Sequence, residues 1–466
     1  MAGSGTAHLR DEPGIVLGVD HLVVEFPTKR GRVHAVTDVS FDLANRETLG
    51  IVGESGCGKS STGKAIMRVP PPTSGTVQLD GVDLSSLSAE ELRDVRGRMQ
   101  MIFQDAVSSL NPRLKIRDVV ADPLKVRWLE SFDRSPVIEA WERYVPWMLK
   151  LWRHPFVRKA MLPILVAFFA GLILWVGSTA FGSVDADGMR DGGIVQTIGT
   201  IVMIAALVAA APIVAMFVVT GAVWAVLTLA MPFASIPRAL RIRRARPQFE
   251  AETAERVRQV LDDVGIDPEA AMDRRPHEFS GGQAQRISIA RALILDPKVI
   301  ICDEPVSALD VSVQAQVLNL LEDIKAKYGV SLIFIAHDLA VVKNVSDRVV
   351  VMYLGKICEV ASPDRLFGSP RHPYTNRLLS AIPATDPSID PRASATLGGE
   401  LPSPIDPPSG CRFRTRCPNV GDVCATEEPQ IRPLASGHYV ACHFPVEDGS
   451  VPVGGAHGTA DGALAT

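Results

Sequence analysis

The sequence predicts an α/β fold, and three observations support this prediction. Short β-branched runs broken by Gly, Pro and Asn alternate with helical stretches over 15–126, and the same pattern resumes over 248–383. One strand-like run leads into a glycine-rich loop at Gly53, and another ends in two adjacent carboxylates, Asp303 and Glu304. The region between the two patterns differs in composition. We therefore expect one α/β domain that is interrupted by an insertion and followed by a small appendix.

Length, charge and the two ends of the chain limit the class of protein. With 466 residues the chain exceeds one ordinary core, so two or more folded units are expected. A net charge of −4 provides no basic field, which argues against a nucleic-acid partner. We expect disorder at 1–14 and in the Gly/Ala-rich tail at 448–466. A linker and a cysteine-rich extension are expected over 384–447.

The first motif with chemical meaning follows the strand-like run at 48–52. Gly53–Ser60 matches the pattern G-x-x-x-x-G-K-[ST]. In such a loop the glycines let backbone N–H groups wrap phosphates, Lys59 reaches the β- and γ-phosphates, and Ser60 can ligate Mg²⁺. We therefore predict a nucleotide site in this loop. Its predicted contacts are Gly53, Ser55, Gly56, Cys57, Gly58, Lys59, Ser60 and Ser61.

Four later segments supply further polar groups. Asp303 is predicted to hold Mg²⁺, and Glu304 to polarise an attacking water. Gln104 is expected to sense Mg²⁺, and His337 stands at the end of a strand-like run. Ser280–Gln283 forms a turn at the start of a helix, which is another anion-binding N-terminus. Taken alone, His337 could equally be a structural histidine. Many strands end in acidic residues, so Asp303 and Glu304 alone would be weak evidence for a catalytic site.

In this order, the segments resemble the ABC-transporter ATPase family over about three quarters of the chain. The resemblance implies a P-loop ATPase with a RecA-like core, an antiparallel β subdomain and a helical subdomain. It implies Walker A at Gly53–Ser61, the Q-loop at Gln104, the signature at Ser280–Gln283, Walker B at Asp303 and Glu304, the D-loop at Ser307–Asp310 and the switch histidine at His337. Phe26 is the expected stacking partner of adenine, with an ordinary core phenylalanine as the alternative. The catalytic roles fall on Glu304, His337, Gln104 and Lys59, while Gln104 joins Ser60 and Asp303 around Mg²⁺, and ATP is also contacted by Asp310.

The resemblance also implies partners. In the family two ATPase domains close head to tail on ATP, so a chain with one copy of each motif needs a second ATPase chain. Val107–Pro112, Arg275–Ser280, Val306–Gln316 and Arg371–Thr375 are similar to oligopeptide and dipeptide importers in particular. The expected function is therefore ATP-driven peptide import with two permease subunits and an extracytoplasmic binding protein. Import of nickel or another solute, and peptide export, stay open. A non-transport ABC ATPase is the rival from another class.

Four cysteines crowd into the C-terminal extension: Cys411, Cys417, Cys424 and Cys442. The ATPase chemistry requires the cytosol, where structural disulfides are uncommon, so this cluster favours a metal site. Four cysteines suit either a [4Fe–4S] cluster or Zn²⁺, with free thiols as the alternative. Similar extensions in the subfamily are associated with a [4Fe–4S] cluster, which is therefore the first expectation.

The insertion at 127–247 departs from the family pattern. Its apolar runs at 161–181 and 198–231 are long enough to span a membrane. Both halves of the ATPase must lie on one side of the membrane, so an even number of crossings is expected. Basic flanks and an acidic loop between the runs predict that the flanks are cytoplasmic. The fold class therefore includes a transmembrane hairpin in contact with lipid, which makes the protein integral to the cytoplasmic membrane with its ATPase on the cytoplasmic face. A buried soluble helix is the alternative.

Overall fold

The computed structural model describes residues 5–10, 13–130, 239–381 and 400–447, together with a few isolated positions between 132 and 226. The chain divides into two compact units. The first unit comprises 1–127 and 252–466, and the second comprises 128–251. Each unit is described by itself.

Twelve strands are described. They are β1 Ile15–Thr28, β2 Gly31–Ala44, β3 Thr48–Val52, β4 Ser74–Leu79, β5 Val82–Asp83, β6 Met99–Ile102, β7 Val299–Asp303, β8 Ser331–Ala336, β9 Arg348–Tyr353, β10 Lys356–Ala361, β11 Arg432–Ala435 and β12 His438–Val440. An antiparallel sheet has the order β2-β1-β4-β5, and a larger sheet has the order β11-β12-β10-β9-β3-β8-β7-β6.

The centre of the larger sheet is parallel and buried. Strand β3 pairs in parallel with β8 and β9, and β7 pairs in parallel with β6 and β8. Every residue of β3, β7 and β8 is buried, as expected for a parallel sheet covered on both faces. The carboxyl ends of parallel strands meet at one edge of a sheet. The segments that follow β3, β6, β7 and β8 therefore leave the sheet at the same edge.

The helices vary in length. They are α1 Lys59–Ile66, α2 Ala89–Arg96, α3 Ala106–Ser109, α4 Ile116–Glu130, α5 described at 239–263, α6 Pro268–Ala271, α7 Gly281–Leu293, α8 Val311–Tyr328, α9 Leu339–Val345, α10 Pro363–Gly368, α11 Pro373–Ser380 and α12 Val423–Thr426. The start of α7 has a capping box, in which the Ser280 side chain accepts from Gln283 N while the Gln283 side chain accepts from Ser280 N.

The C-terminal extension, defined here as residues 400–447, belongs to the first unit. Its strand β12 pairs antiparallel with β10 at the edge of the larger sheet. The rings of Tyr353, Tyr374 and Phe413 pack together with centroids 4.8–5.4 Å apart, and all three side chains are buried. Because burial of aromatic side chains contributes strongly to packing, this cluster fixes the extension to β9 and α11.

The second unit has an aromatic cluster of its own. Trp128 stacks on Phe249 with ring centroids 4.3 Å apart and meets Phe132 edge-on at 5.1 Å. Tyr144 donates a hydrogen bond to the carbonyl oxygen of Thr220 at 3.1 Å.

The transmembrane hairpin in the predicted fold class is corrected. Among the residues that the structure describes, none of the helices combines the length and apolar character needed to cross a membrane. The long described helices are charged: α5 carries Arg241, Arg243 and Arg244, and α8 ends with several charged residues. The predicted spans at 161–181 and 198–231 lie outside the described residues apart from isolated positions. An apolar run identifies a segment that avoids water, but it does not distinguish lipid from protein as its surroundings.

A buried polar cluster joins α11 to the sheet. The Glu359 carboxylate, which is fully buried, accepts hydrogen bonds from the backbone N–H groups of Arg371 and His372 at 2.8 and 2.9 Å. It also lies 2.6 Å from His438 Nε2. His372 Nδ1 accepts from Tyr374 N at 3.0 Å, so the imidazole is held as a neutral acceptor at this nitrogen.

We expect this histidine to make folding stability depend on pH. Burial lowers the pKa of His372 to about 4, whereas the unfolded chain titrates near 6.5. Between these values the unfolded state binds the extra proton, so the free energy of unfolding falls as the pH falls, by at most about 1.4 kcal/mol per pH unit from this residue. Urea unfolding at pH 7, 6 and 5 should have a smaller pH slope in His372→Asn, whose amide oxygen can still accept from Tyr374 N. Equal slopes in the two proteins would contradict the assignment.

Candidate nucleotide site

The loop between β3 and α1 depends on glycine at two positions. Gly53 has a φ of 154° and Gly58 a φ of 102°, and both values disfavour residues with a side chain. A Cβ on Gly53 would lie 2.2 Å from Met352 O, and one on Gly58 would lie 2.2 Å from Ala35 O. The loop therefore packs through its backbone against β9 of the larger sheet and β2 of the antiparallel sheet.

Lys59 folds back over this loop. Its Nζ donates to the carbonyl oxygens of Gly53 at 2.7 Å and Glu54 at 3.0 Å, and the residue is buried. The ammonium thus lies over the concave side of the loop, where it can meet an anion together with the N-terminus of α1. Cys57 is buried below, and burial raises the pKa of its thiol.

The buried carboxylate at the end of β7 faces α1. Ser60 Oγ donates to Asp303 Oδ1 at 2.7 Å. Burial raises the pKa of Asp303, although this hydrogen bond and the charge of Lys64 oppose the shift. A hydroxyl and a carboxylate are hard oxygen ligands of the kind that Mg²⁺ prefers, and a cation would offset the cost of burying the carboxylate. The residues present therefore fit a Mg²⁺ ion.

The Glu304 side chain contacts residues that follow two neighbouring strands: Gln104 after β6 and His337 after β8. Its Oε2 accepts from Gln104 Nε2 at 2.8 Å and lies 3.3 Å from His337 Nδ1. Glu304 has a φ of 49°, which is uncommon for a residue with a side chain, and its N–H donates to Ile335 O at 2.9 Å. Glu304 lines the same cleft as the phosphate loop, which is the placement required of a base that acts on a water beside a bound phosphate.

Lys59, Ser60, Gln104, Glu304 and His337 line one cleft of about 570 Å³. The lining residues are Phe26, Val33, Ala35, Ser55, Gly56, Gly58, Lys59, Ser60, Ser61, Gln104, Glu304, His337 and Pro404. Val33, Ala35 and Pro404 could not be predicted from the sequence, because they belong to no motif. The cleft has a polar end at the phosphate loop and an apolar end at Phe26.

Eight of the predicted nucleotide contacts do not line this cleft: Gly53, Cys57, Asp303, the four signature residues Ser280–Gln283, and Asp310. Ser280–Gln283 starts α7, where Gly282 is packed so closely that a Cβ would lie 2.5 Å from Val313 Cγ1. Asp310 is the residue before α8, and its side chain makes no capping hydrogen bond. The structure therefore does not bring the signature segment or Asp310 to the phosphate loop of the same chain.

The predicted metal centre in the C-terminal extension is corrected. Among the described residues, which include Cys411, Cys417, Cys424 and Cys442, no group of three or more potential ligands is arranged to hold a metal ion. Burial raises the pKa of the Cys411 thiol to about 11 and that of the Cys442 thiol to about 12. The [4Fe–4S] and Zn²⁺ expectations were wrong because cysteines that are close in sequence need not adopt the geometry of a ligand set around a metal ion.

Comparison with known proteins decides the family. The family model described as ABC transporter matches residues 36–307, which include the phosphate loop, Gln104, Asp303 and Glu304. The chain belongs to the ABC transporter family. A second model, described as the C-terminal region of oligopeptide/dipeptide transporters, matches residues 358–424 of this ABC protein. The recognition made from the motifs is thus confirmed.

Several relatives of this ABC protein match over nearly their whole length. The oligopeptide transport ATP-binding protein OppF of Salmonella typhimurium is 38% identical over 92% of this chain and 96% of that protein. The OppF protein of Haemophilus influenzae is 36% identical over the same shares. A Brucella ovis protein, provisionally named as a peptide import ATP-binding protein, is 37% identical over 92% of this chain and 97% of its own. Among solved structures, a Clostridium perfringens protein described as part of an ABC transporter complex has a TM-score of 0.45 at 18% identity, covering 76% of this chain and 92% of that chain.

Proposed function

We propose that this chain is the ATP-binding and ATP-hydrolysing subunit of an importer of oligopeptides or dipeptides. The observation that carries the proposal is the convergence of Lys59, Glu304 and His337 in one cleft, next to the hydrogen bond between Ser60 and Asp303. The relatives named for oligopeptide transport support the substrate class. The protein acts at the cytoplasmic face of the cytoplasmic membrane.

Nucleotide binding uses the polar end of the cleft. Lys59 and the loop N–H groups hold the β- and γ-phosphates, while the apolar end beside Phe26 receives the adenosine. Ser60 and Asp303 would hold Mg²⁺ near Gln104, and the ion would neutralise phosphate charge. Because Asp303 must be ionised to bind the cation, Mg²⁺ offsets the burial that raises its pKa.

Hydrolysis uses the carboxylate that follows β7. Glu304 accepts a proton from the water that attacks the γ-phosphate, and ADP and phosphate are the products. Gln104 and His337 flank the same carboxylate oxygen, so they position Glu304 and the water. Gln104 follows β6 and His337 follows β8, so both residues are positioned by strands of the larger sheet.

The complete site requires a second ATPase chain. Ser280–Gln283 and Asp310 do not line the cleft of their own chain, and a helix N-terminus such as that of α7 suits an anion. The signature segment of each ATPase therefore completes the site of its partner, and the γ-phosphate joins the two. Two permease subunits and an extracytoplasmic binding protein complete the importer and select its substrate.

A vesicle experiment tests the proposed function. Proteoliposomes that hold this chain with its permeases and partner ATPase should take up labelled peptide only with ATP. Lys59→Ala should weaken ATP binding about 10- to 100-fold and abolish uptake, because it removes a charged contact to phosphate. Lys125→Ala is the matched control, since this lysine bonds to Asp118 at 2.7 Å and does not line the cleft. Uptake that resists unlabelled peptide but is blocked by Ni²⁺ would overturn the peptide assignment.

A further inference from the structure

We propose that the C-terminal extension is a wall of the nucleotide site, with Pro404 in contact with the nucleoside half of ATP. The inference rests on the proposed function for ATP binding itself. It goes further because it assigns a nucleotide contact to a segment that lies outside the ATPase motifs.

Pro404 lines the same cleft as the phosphate loop although about 350 residues separate them in sequence. Its carbonyl oxygen accepts a hydrogen bond from His34 N at 2.9 Å. His34 stands in β2 between two further cleft residues, Val33 and Ala35. The bond therefore places the proline at the apolar end of the cleft, opposite the strand that carries Phe26, whose register partner is Val33.

Close to Pro404, the extension also approaches the β1–β2 turn and the phosphate loop. A Cβ on Gly31, at the β1–β2 turn, would lie 3.0 Å from Ile405 Cγ2. On the other side, a Cβ on Gly56 in the phosphate loop would lie 3.9 Å from Leu401 Cδ2. Residues 401–405 thus run from the phosphate loop to the hairpin that carries Phe26, which is the direction in which a nucleotide would lie.

An ion pair locks the extension to the phosphate loop. Arg416 donates to both carboxylate oxygens of Glu54, at 2.8 and 3.0 Å, and its side chain is only 6% exposed. Glu54 N donates to Tyr374 Oη at 2.9 Å, and Arg412 donates to Thr37 Oγ1 at 3.0 Å. A bidentate, buried pair of this kind fixes geometry as well as proximity, so the wall has a defined position relative to the phosphates.

The apolar character of the surface around Pro404 indicates which part of the nucleotide it contacts. A proline ring beside Phe26 and Val33 offers apolar surface, which favours a base or a ribose face. Charged phosphates gain nothing from such a surface and are drawn to Lys59 instead. Pro404 is therefore expected to contribute to binding of ATP and ADP, and to contribute nothing to binding of inorganic tripolyphosphate.

The test compares these ligands on one variant. In Pro404→Ala of the full chain, the dissociation constants of Mg–ATP and Mg–ADP should rise about three- to tenfold, because a buried ring contact is lost. The dissociation constant of Mg–tripolyphosphate, measured by competition, should stay unchanged, which also reports that the phosphate loop is folded. Pro402→Ala is the matched control, since Pro402 lies in the same segment but does not line the cleft. It should leave all three constants unchanged.

Three results would overturn the inference. They are an unchanged affinity for ATP in Pro404→Ala, an equal loss for ATP and tripolyphosphate, and an equal effect of Pro402→Ala. Lys59→Ala separates this failure from failure of the proposed function, because it should weaken binding of all three ligands. If wild-type protein binds none of them, the proposed function fails together with the inference.

Discussion

Replacing Glu304 by glutamine is expected to abolish ATP turnover while ATP binding is kept. The amide preserves the shape of the side chain but cannot accept the proton of the attacking water, and loss of a general base costs about 10²- to 10⁴-fold in rate. Lys59 and the loop glycines, which hold the phosphates in our proposal, are left intact. Steady-state ATP hydrolysis by the assembled complex and equilibrium ATP binding measure the two effects separately.

A second carboxylate provides the control for this result. Glu269 is exposed on α6 and bonds to Arg258 at 3.2 Å, so Glu269→Gln should leave both turnover and binding unchanged. Normal hydrolysis in Glu304→Gln would remove this residue from the base role. The positions of Gln104 and His337 on the same carboxylate oxygen would then need another explanation.

Alanine at Gly58 should have the largest effect on stability. The new Cβ would lie 2.2 Å from Ala35 O, and a φ of 102° disfavours any side chain. We expect a loss of more than about 3 kcal/mol in the free energy of unfolding, measured by urea unfolding without nucleotide. The loss has a steric cause, because backbone atoms cannot move aside as a flexible side chain can.

Gly56 separates steric overlap from backbone conformation. Its φ of 80° is also disfavoured for alanine, but the nearest atom to a new Cβ is 3.9 Å away. Gly56→Ala should therefore cost only about 1–2 kcal/mol. Equal losses for the two variants would mean that close packing of the loop against β2 does not limit the choice of residue at position 58.

The motifs predicted the polar half of the site because each one couples local structure to chemistry. Gly53–Ser60 specifies both a turn and a phosphate contact, and strand β7 ends at Asp303, directly before Glu304, as its apolar run predicts. The resemblance that these motifs carry is confirmed by the family model over 36–307. Their convergence follows from the parallel order of β3, β8 and β7.

The apolar half of the site could not be predicted in the same way. Pro404 lies in a stretch whose proline content suggested a linker, and its place in the cleft depends on a hydrogen bond to His34. The Arg416–Glu54 pair joins residues 362 positions apart. Contacts between residues so far apart in sequence depend on tertiary packing, so they cannot be predicted from local sequence patterns.

The two corrected expectations failed for related physical reasons. Apolar composition over 127–247 was interpreted as a transmembrane hairpin, and none of the helices that the structure describes could span a membrane. Cysteine spacing was interpreted as a metal centre, and the described side chains of the C-terminal extension do not converge on one. In both cases a property of the sequence, apolar composition or cysteine spacing, did not determine how the residues are arranged in space.

The most direct test of peptide import is the coupling of ATP hydrolysis to substrate. The measurement is ATP hydrolysis by vesicles that hold this chain, its permeases and its partner ATPase, with binding protein on the opposite side of the membrane. We expect hydrolysis to rise when the binding protein carries peptide, and Glu304→Gln to remove the rise. Hydrolysis that is indifferent to peptide, in vesicles whose ATPase is active, would contradict the account.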